Sequence, residues 1–536
     1  MPFARTAAGD LAVPPGAIAG GTALRSGSPF GASMTRRGFL TATRRVAIAA
    51  AVASQARWLA GCGDAARPSE SAWQDLARRL AGSVLRPGDE GFYETALPHN
   101  LRYAGVLPQG IAMCVEPSDV QTSILWAREN GIALVARAGS HSYAGFSSTY
   151  GLMINVTPMS GVAVDTSRGT VTAGAGARNR DVFAALAPHG IAIPQGRCPP
   201  VGIAGLTLGG GFGFSSRKLG LTSDRLIETT VTTAAGEIVV CNDREETDLF
   251  WACRGGGGGN FGINTSFTYE VTPVGDVSVY RLEWQGTDTA ADLIAAFGDI
   301  IASAPDELSL RLGLSAPPPT DRDRGVKVTA LGQYFGPSSE LLELLAPALR
   351  VATPVQQTIA DMTFVEASAF LAASGPPNSF LERSSYAFAP LSSRAVATLI
   401  DELLRWPGGA SGYVAMFSWG GAISRVPSAA TAFVHREGQF LVAVGADWAE
   451  TDPPRVVDAN VSWVDEFWQA LQPDVLPFSY QNFADPDLTD WPRAYYGSNL
   501  TRLQQVKAAV DPDDVFRFPQ SIPPATEGSS ALSDAA

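Results

Sequence analysis

The sequence predicts an α+β chain built in two parts, and three observations carry that prediction. Short β-branched runs punctuated by glycine, proline and serine fill the first half. From about Val277, aromatic strands alternate with longer helices, the pattern of an antiparallel sheet covered by helices on one face. Between the short strands of the first half lie glycine-dense stretches too apolar to be linkers. Of 536 residues 46% are apolar and 17% charged, which supports a large core and excludes disorder. The 55 Gly and 37 Pro follow no period, which excludes a collagen-like chain.

In order, residues 72–80 read as a short amphipathic helix ending before Gly82. Residues 111–115, 120–130 and 134–136 then read as strand, helix and strand, with Pro117-Ser118-Asp119 starting the helix. Strands follow at 152–156, 161–165 and 170–173, and a helix at 181–187. Residues 226–233 and 237–240 flank Ala234-Ala235-Gly236 as a hairpin. In the second half the strands are 277–284, 326–334, 413–419 and 440–446. The helices there are 290–302, 340–349, 395–406 and 456–471. A last helix, 500–510, stops at Asp511-Pro512.

The first sixty residues read as an address. Arg36-Arg37 precede an apolar Ala/Val run to Ser54, and Leu59-Ala60-Gly61-Cys62 has the form of a bacterial lipobox. The expectation is export by the twin-arginine route from a start at Met34, with a lipid on Cys62 as the sole membrane link. Arginines interrupt the run, so it is too short and too charged to span a bilayer. Residues 1–61 hold seven Arg and one Asp, so the mature chain would carry −19 rather than the formal −13. That charge opposes nucleic-acid binding, which needs clustered Lys and Arg. Five cysteines without a CxxC pair, and four histidines, form neither a disulfide framework nor a metal centre.

Three glycine-rich stretches remain. Arg137-Ala138-Gly139-Ser140-His141-Ser142-Tyr143-Ala144-Gly145 follows an apolar strand, where small residues let successive backbone N–H groups face one anion. The second runs from Gly196 through Cys198, Val201, Gly202, Gly205 and Gly210 to Gly213, and the third from Arg254 to Ile263. Gly257-x-Gly259-x-x-Gly262 matches a dinucleotide fingerprint in form only. It follows a helical stretch and leads into a strand, the reverse of the required order. Neither a GxxxxGK[ST] loop nor a GxSxG elbow with a spaced His occurs.

These stretches, with the tail from Tyr495 to Pro524, resemble the berberine-bridge-enzyme-like family of FAD-linked oxidases, which share the PCMH-type flavin fold of the vanillyl-alcohol-oxidase superfamily. The resemblance covers roughly residues 89–524. Behind the leader at 1–61, it implies an FAD-binding part at 70–275 and a substrate part at 276–475. A segment at 476–524 would return to the FAD part, and 525–536 would be a disordered tail. It also implies two covalent links to FAD, at His141 and Cys198. Residues Arg137, Ala138, Gly139, Ser140 and Ser142 would wrap the pyrophosphate, and Gly202, Gly205, Gly210 and Ile263 would lie along the cofactor. Tyr480 and Asn482 belong to an element touching the flavin ring. Cys114, Cys241 and Cys253 read as core, His99 and His189 lack a partner motif, and His435-Arg436 reads as a structural pair.

One departure bears on mechanism. The family's element is commonly YxNY, and its second Tyr often serves as base. Here Phe483 stands in that place, and a phenyl ring cannot accept a proton. Tyr480 or Asp447 are the candidate substitutes, with a structural role for both the alternative. Val201 resembles the oxygen-permissive form of a residue that gates the flavin. The expectation is therefore a monomeric oxidase that passes a hydride from an alcohol, sugar or amine to FAD and on to O2, giving H2O2. A same-fold dehydrogenase using a membrane acceptor, and a catalytically impaired sugar-binding surface protein, are the alternatives.

Overall fold

A computed structural model describes residues 67–373 and 375–526. The twin-arginine leader, Cys62 and residues 527–536 of the expected tail lie outside the described residues.

The first sheet holds β1 (Ser83–Leu85), β2 (Gly110–Met113), β3 (Leu134–Arg137) and β4 (Leu152–Asn155), in the order β1-β2-β4-β3. Its β2–β4 and β4–β3 pairs are parallel, so β2 and β3 need a crossover, and helix Pro117–Glu129 supplies it. Proline opens that helix, where its missing N–H costs nothing. The second sheet holds β5 (Val162–Asp165), β6 (Thr170–Gly174), β8 (Leu226–Thr232), β9 (Ile238–Asn242) and β10 (Ile263–Glu270). Its order is β5-β6-β10-β8-β9, all antiparallel, and β8 and β9 form the expected hairpin. β7 (Ile191–Ala192) and β11 (Thr272–Pro273) make a short separate pair. One core underlies both sheets, and Leu503, Val506, Phe516 and Ile522 from the chain's end are buried in it.

The third large sheet has seven antiparallel strands in the order β15-β12-β14-β13-β17-β18-β16. These are β12 (Val277–Gln285), β13 (Arg311–Ser315), β14 (Lys327–Tyr334), β15 (Gln356–Met362), β16 (Ser379–Ala387), β17 (Ser411–Ser418) and β18 (Phe440–Trp448). Helices Ala290–Ser303, Ser338–Val351, Ser393–Leu404 and Pro454–Leu471 bury a second core against it. Two corrections follow. The sheet has seven strands where four were expected: β13 is five residues long with Gly313 at its centre, and β15 and β16 carry too many polar residues to read as strands. Nor are all its helices on one face. Val277 and Val279 point away from the second core and meet helix Phe364–Leu371 on the other side, while Tyr280, Leu282 and Trp284 face the core.

Candidate active site

The loop after β3 is shaped by contact between two glycines. A Cβ on Gly139 would stand 2.2 Å from the Gly202 nitrogen, and one on Gly202 would stand 2.6 Å from the Gly139 nitrogen. Only glycine lets these two loops touch. Ser140 then adopts φ 63°, an uncommon left-handed conformation for a side-chain-bearing residue. Backbone N–H groups from Gly139 to Ser142 meet no acceptor among the described residues. Ala138, Gly139, Ser140, His141 and Ser142 line a cavity of about 870 Å³, together with Val201, Gly202, Gly205 and Ile263.

Two expected members do not join them. The Arg137 side chain is wholly buried and donates to the carbonyls of Ser147, Leu97 and Ala96 and to Ser148 Oγ. It staples the loop from behind instead of meeting a phosphate. Gly210 also lies off the cavity, with the Phe433 ring 2.7 Å from where its Cβ would be.

His141 and Cys198 both line this cavity. His141 Nδ1 donates to the Gly139 carbonyl at 2.6 Å, so Nε2 is the nitrogen with a free lone pair. Burial, then the neighbouring His99, hold its pKa down to about 4, and the imidazole is neutral at physiological pH. His99 stacks on it with ring centroids 4.1 Å apart, a partnership the sequence did not signal. Burial pushes the Cys198 thiol up, against the opposing pull of Arg197 and Arg311.

The opposite wall is the seven-stranded sheet. Alternate residues point the same way from a strand, so β13, β16, β17 and β18 present Arg311, Glu382, Tyr413 and Asp447 to one space. Glu382 and Tyr413 sit two strands apart, each paired in register with Gly445 of the strand between them. A Cβ on Gly445 would lie 2.6 Å from the Tyr413 hydroxyl. Without it, the phenol crosses β18 and donates to Glu382 Oε2 at 2.8 Å. Burial raises the Glu382 pKa to about 7. Arg311 is half-buried, and burial pulls its pKa down to about 10; its Nε is buried with no acceptor among the described residues. Asp447 accepts from Ser411 Oγ at 2.7 Å, and burial raises its carboxyl too. Glu382, Tyr413 and Arg311 went unread in the sequence. The available signal was slight: Glu382 stands beside a second charge, Arg383, in β16, and Arg311 stands at the end of the short β13.

The C-terminal segment closes the remaining side. Tyr480 is buried, and its hydroxyl accepts from Gly211 N at 3.1 Å and Asn482 Nδ2 at 3.0 Å. Burial lifts its pKa to about 12, so it is ill suited to accept a proton as tyrosinate. Phe483 lies flat against Tyr143, centroids 5.0 Å apart and planes at 5°.

The cavity suits a large planar cofactor with an anionic tail. Free N–H groups supply an anion cradle. Bare backbone at Gly205 and Gly258 leaves depth, since a Cβ on Gly205 would meet nothing within 4 Å and one on Gly258 nothing closer than 3.8 Å. Family profiles agree. One described as "FAD binding domain" matches residues 108–242, and one described as "Berberine and berberine like" matches residues 479–523. The uncharacterized FAD-linked oxidoreductase YgaK of Bacillus subtilis is 33% identical over 456 residues, spanning 83% of this chain and 98% of the relative. The chain belongs to the berberine-bridge-enzyme-like family of FAD-linked oxidoreductases. Berberine-bridge-enzyme-like structures share its fold. BBE-like 1 of Physcomitrella patens is 28% identical with a TM-score of 0.77, covering 85% of this chain and 99% of its own. A chitooligosaccharide oxidase is 25% identical with a TM-score of 0.76, covering 85% of this chain and 100% of its own. Among the described residues no group of three or more His, Cys, Asp or Glu could hold a metal, and no helix is long and apolar enough to cross a membrane.

Proposed function

We propose that this family member is an exported oxidase that takes a hydride from an alcohol, sugar or amine carbon and delivers it to O2, releasing H2O2. The observation that carries the reading is the sharing of one cavity. His141 and Cys198 line it from the loops of the first part, while Arg311, Glu382, Tyr413 and Asp447 line it from the sheet. FAD, when bound, supplies the hydride acceptor. The chain's own residues do the rest. Loop N–H groups from Gly139 to Ser142 would hold the pyrophosphate, and neutral His141 and Cys198 would be the attachment points. The sheet wall orients the substrate and receives its proton. Val201 borders the cavity beside Cys198, in keeping with oxygen access to the ring.

Export by the twin-arginine route and a lipid on Cys62 belong to the same proposal and rest on residues 34–62 alone. That route carries folded proteins, which suits an enzyme that must close around its cofactor first.

Denaturing precipitation of the purified protein tests the attachment. Yellow colour is expected in the pellet, and His141→Ala and Cys198→Ala together should move it to the supernatant. Yellow in the supernatant of the unaltered protein would remove both roles. The oxidase claim is tested by reducing the flavin anaerobically with dithionite and admitting air. Reoxidation within seconds with H2O2 formed supports it, whereas reoxidation by a quinone but not by air makes the protein a dehydrogenase.

A further inference from the structure

We propose that Tyr413, backed by Glu382, is the proton acceptor of the reaction, supplying from strand β17 the phenol that Phe483 lacks. The inference deepens the oxidase reading above and rests on it. Tyr413 is half-buried at the cavity wall, whereas Glu382 is almost wholly buried beside it, so the phenol is the more accessible of the two. The 2.8 Å bond runs from the Tyr413 hydroxyl to Glu382 Oε2, and Oε1 has no partner among the described residues. Gly445 is the device that makes this pair, because any side chain there would occupy the path of the phenol.

The step balances without a further reagent. The substrate O–H (or N–H) bond breaks and its proton passes to the Tyr413 oxygen, as the Tyr413 proton passes to Glu382. The bonding pair left behind closes the C=O (or C=N) bond, and the C–H pair leaves as hydride, for which FAD would be the acceptor when bound. Tyr413 is the catalytic residue, and Glu382 acts through it. A lone tyrosinate would be a poor agent here, since burial and the nearby carboxylates hold the Tyr413 pKa well above its usual value. Handing the proton on to a carboxylate that titrates near neutrality removes that obstacle.

Several groups face Glu382 and set its titration. Asp447 on β18 raises it. Tyr413 on β17, Arg311 on β13 and Arg197 in the glycine loop lower it. Tyr143 and Cys198, from the two flavin-side loops, are coupled electrostatically to the same carboxylate.

The test uses the yellow holoenzyme and reads the flavin absorbance from pH 5 to 9 without substrate. The unaltered protein should show a transition with a midpoint near 7. Glu382→Gln should abolish it, Tyr413→Phe should move it upward by removing a donor to the carboxylate, and Asp447→Asn should leave a transition in place. A transition that survives Glu382→Gln, that vanishes in Asp447→Asn, or that is absent from the unaltered protein overturns the proposal. Anaerobic flavin reduction by benzyl alcohol, cellobiose or chitobiose gives the kinetic arm. Whichever probe reduces the unaltered enzyme should do so at least about 100-fold more slowly in either single variant, and no more slowly in the double variant. A single variant that keeps the full rate overturns the proposal while the oxidase reading stands. A colourless protein fails the oxidase reading itself.

Discussion

At the scale of single residues, the contact between Gly139 and Gly202 decides whether the flavin loops can meet. Alanine at 139 would put a methyl 2.2 Å from a backbone nitrogen that has nowhere to go. Gly139→Ala should therefore lower stability by about 3 kcal/mol, as overpacking does, and lose flavin with it. Gly205→Ala makes the useful contrast, because its methyl meets no protein atom within 4 Å and lines only the cavity. We expect it to melt like the unaltered protein but to purify with less flavin. Melting temperature and the flavin-to-protein ratio, measured on both variants, check the pair, and a flavin-replete Gly205→Ala would count against this placement. Such glycines were legible in the sequence because their density has no other use, and His141 and Cys198 could be found beside them. Glu382 and Tyr413 were not. Their partnership spans two strand spacings over Gly445, and no local pattern records a contact made by a side chain's absence.

At the scale of elements, helices were the most legible. Helix Leu500–Val510 matches its expected span, and the hairpin of β8 and β9 falls where its turn residues put it. Strand β16 escaped notice for a physical reason. It is an edge strand, yet every residue in it is buried, several of them polar. The C-terminal segment covers part of that edge, with Ser384 Oγ accepting from Tyr480 N at 3.1 Å and meeting Ser479 Oγ at 3.0 Å. A second joint ties the turn before β8 to the loop before β18. There Arg436 donates to both oxygens of Asp224 at 2.8 Å, with both side chains almost wholly buried. Removing one partner of such a pair strands a charge. Asp224→Ala is expected to cost about 4 kcal/mol by urea unfolding, and Arg436→Met added to it should recover part of the loss. A loss below about 1 kcal/mol, within the range of an exposed pair, would show that the joint is solvated.

At the scale of the whole molecule, two buried groups make stability depend on pH in opposite senses. Glu382 titrates near 7 when folded, above the usual carboxyl value of 4.5. Its favourable contribution is full below 4.5 and is lost as pH rises through 7. His435 behaves in reverse. It is buried, stacked on Tyr386 at 4.7 Å, and its Nε2 donates to the Tyr495 carbonyl at 3.0 Å. Burial holds its pKa down to about 4 from the usual 6.5, so its contribution is full above 6.5 and is lost as pH falls through 4. Each shift is worth on the order of 3 kcal/mol at its favourable limit. Their midpoints mirror one another, so the two effects should cancel to within about 1 kcal/mol between pH 4 and 8. Single variants, compared with the unaltered protein, expose each effect separately. Relative to the unaltered protein, Glu382→Gln should gain melting temperature as pH rises from 4.5 to 7, and His435→Gln should gain it as pH falls from 6.5 to 4. Differences that stay flat with pH in either variant would mean that the group concerned titrates alike in the folded and unfolded chains. For Glu382 that result would also take away the burial that makes it a carboxylate poised to accept a proton at neutral pH.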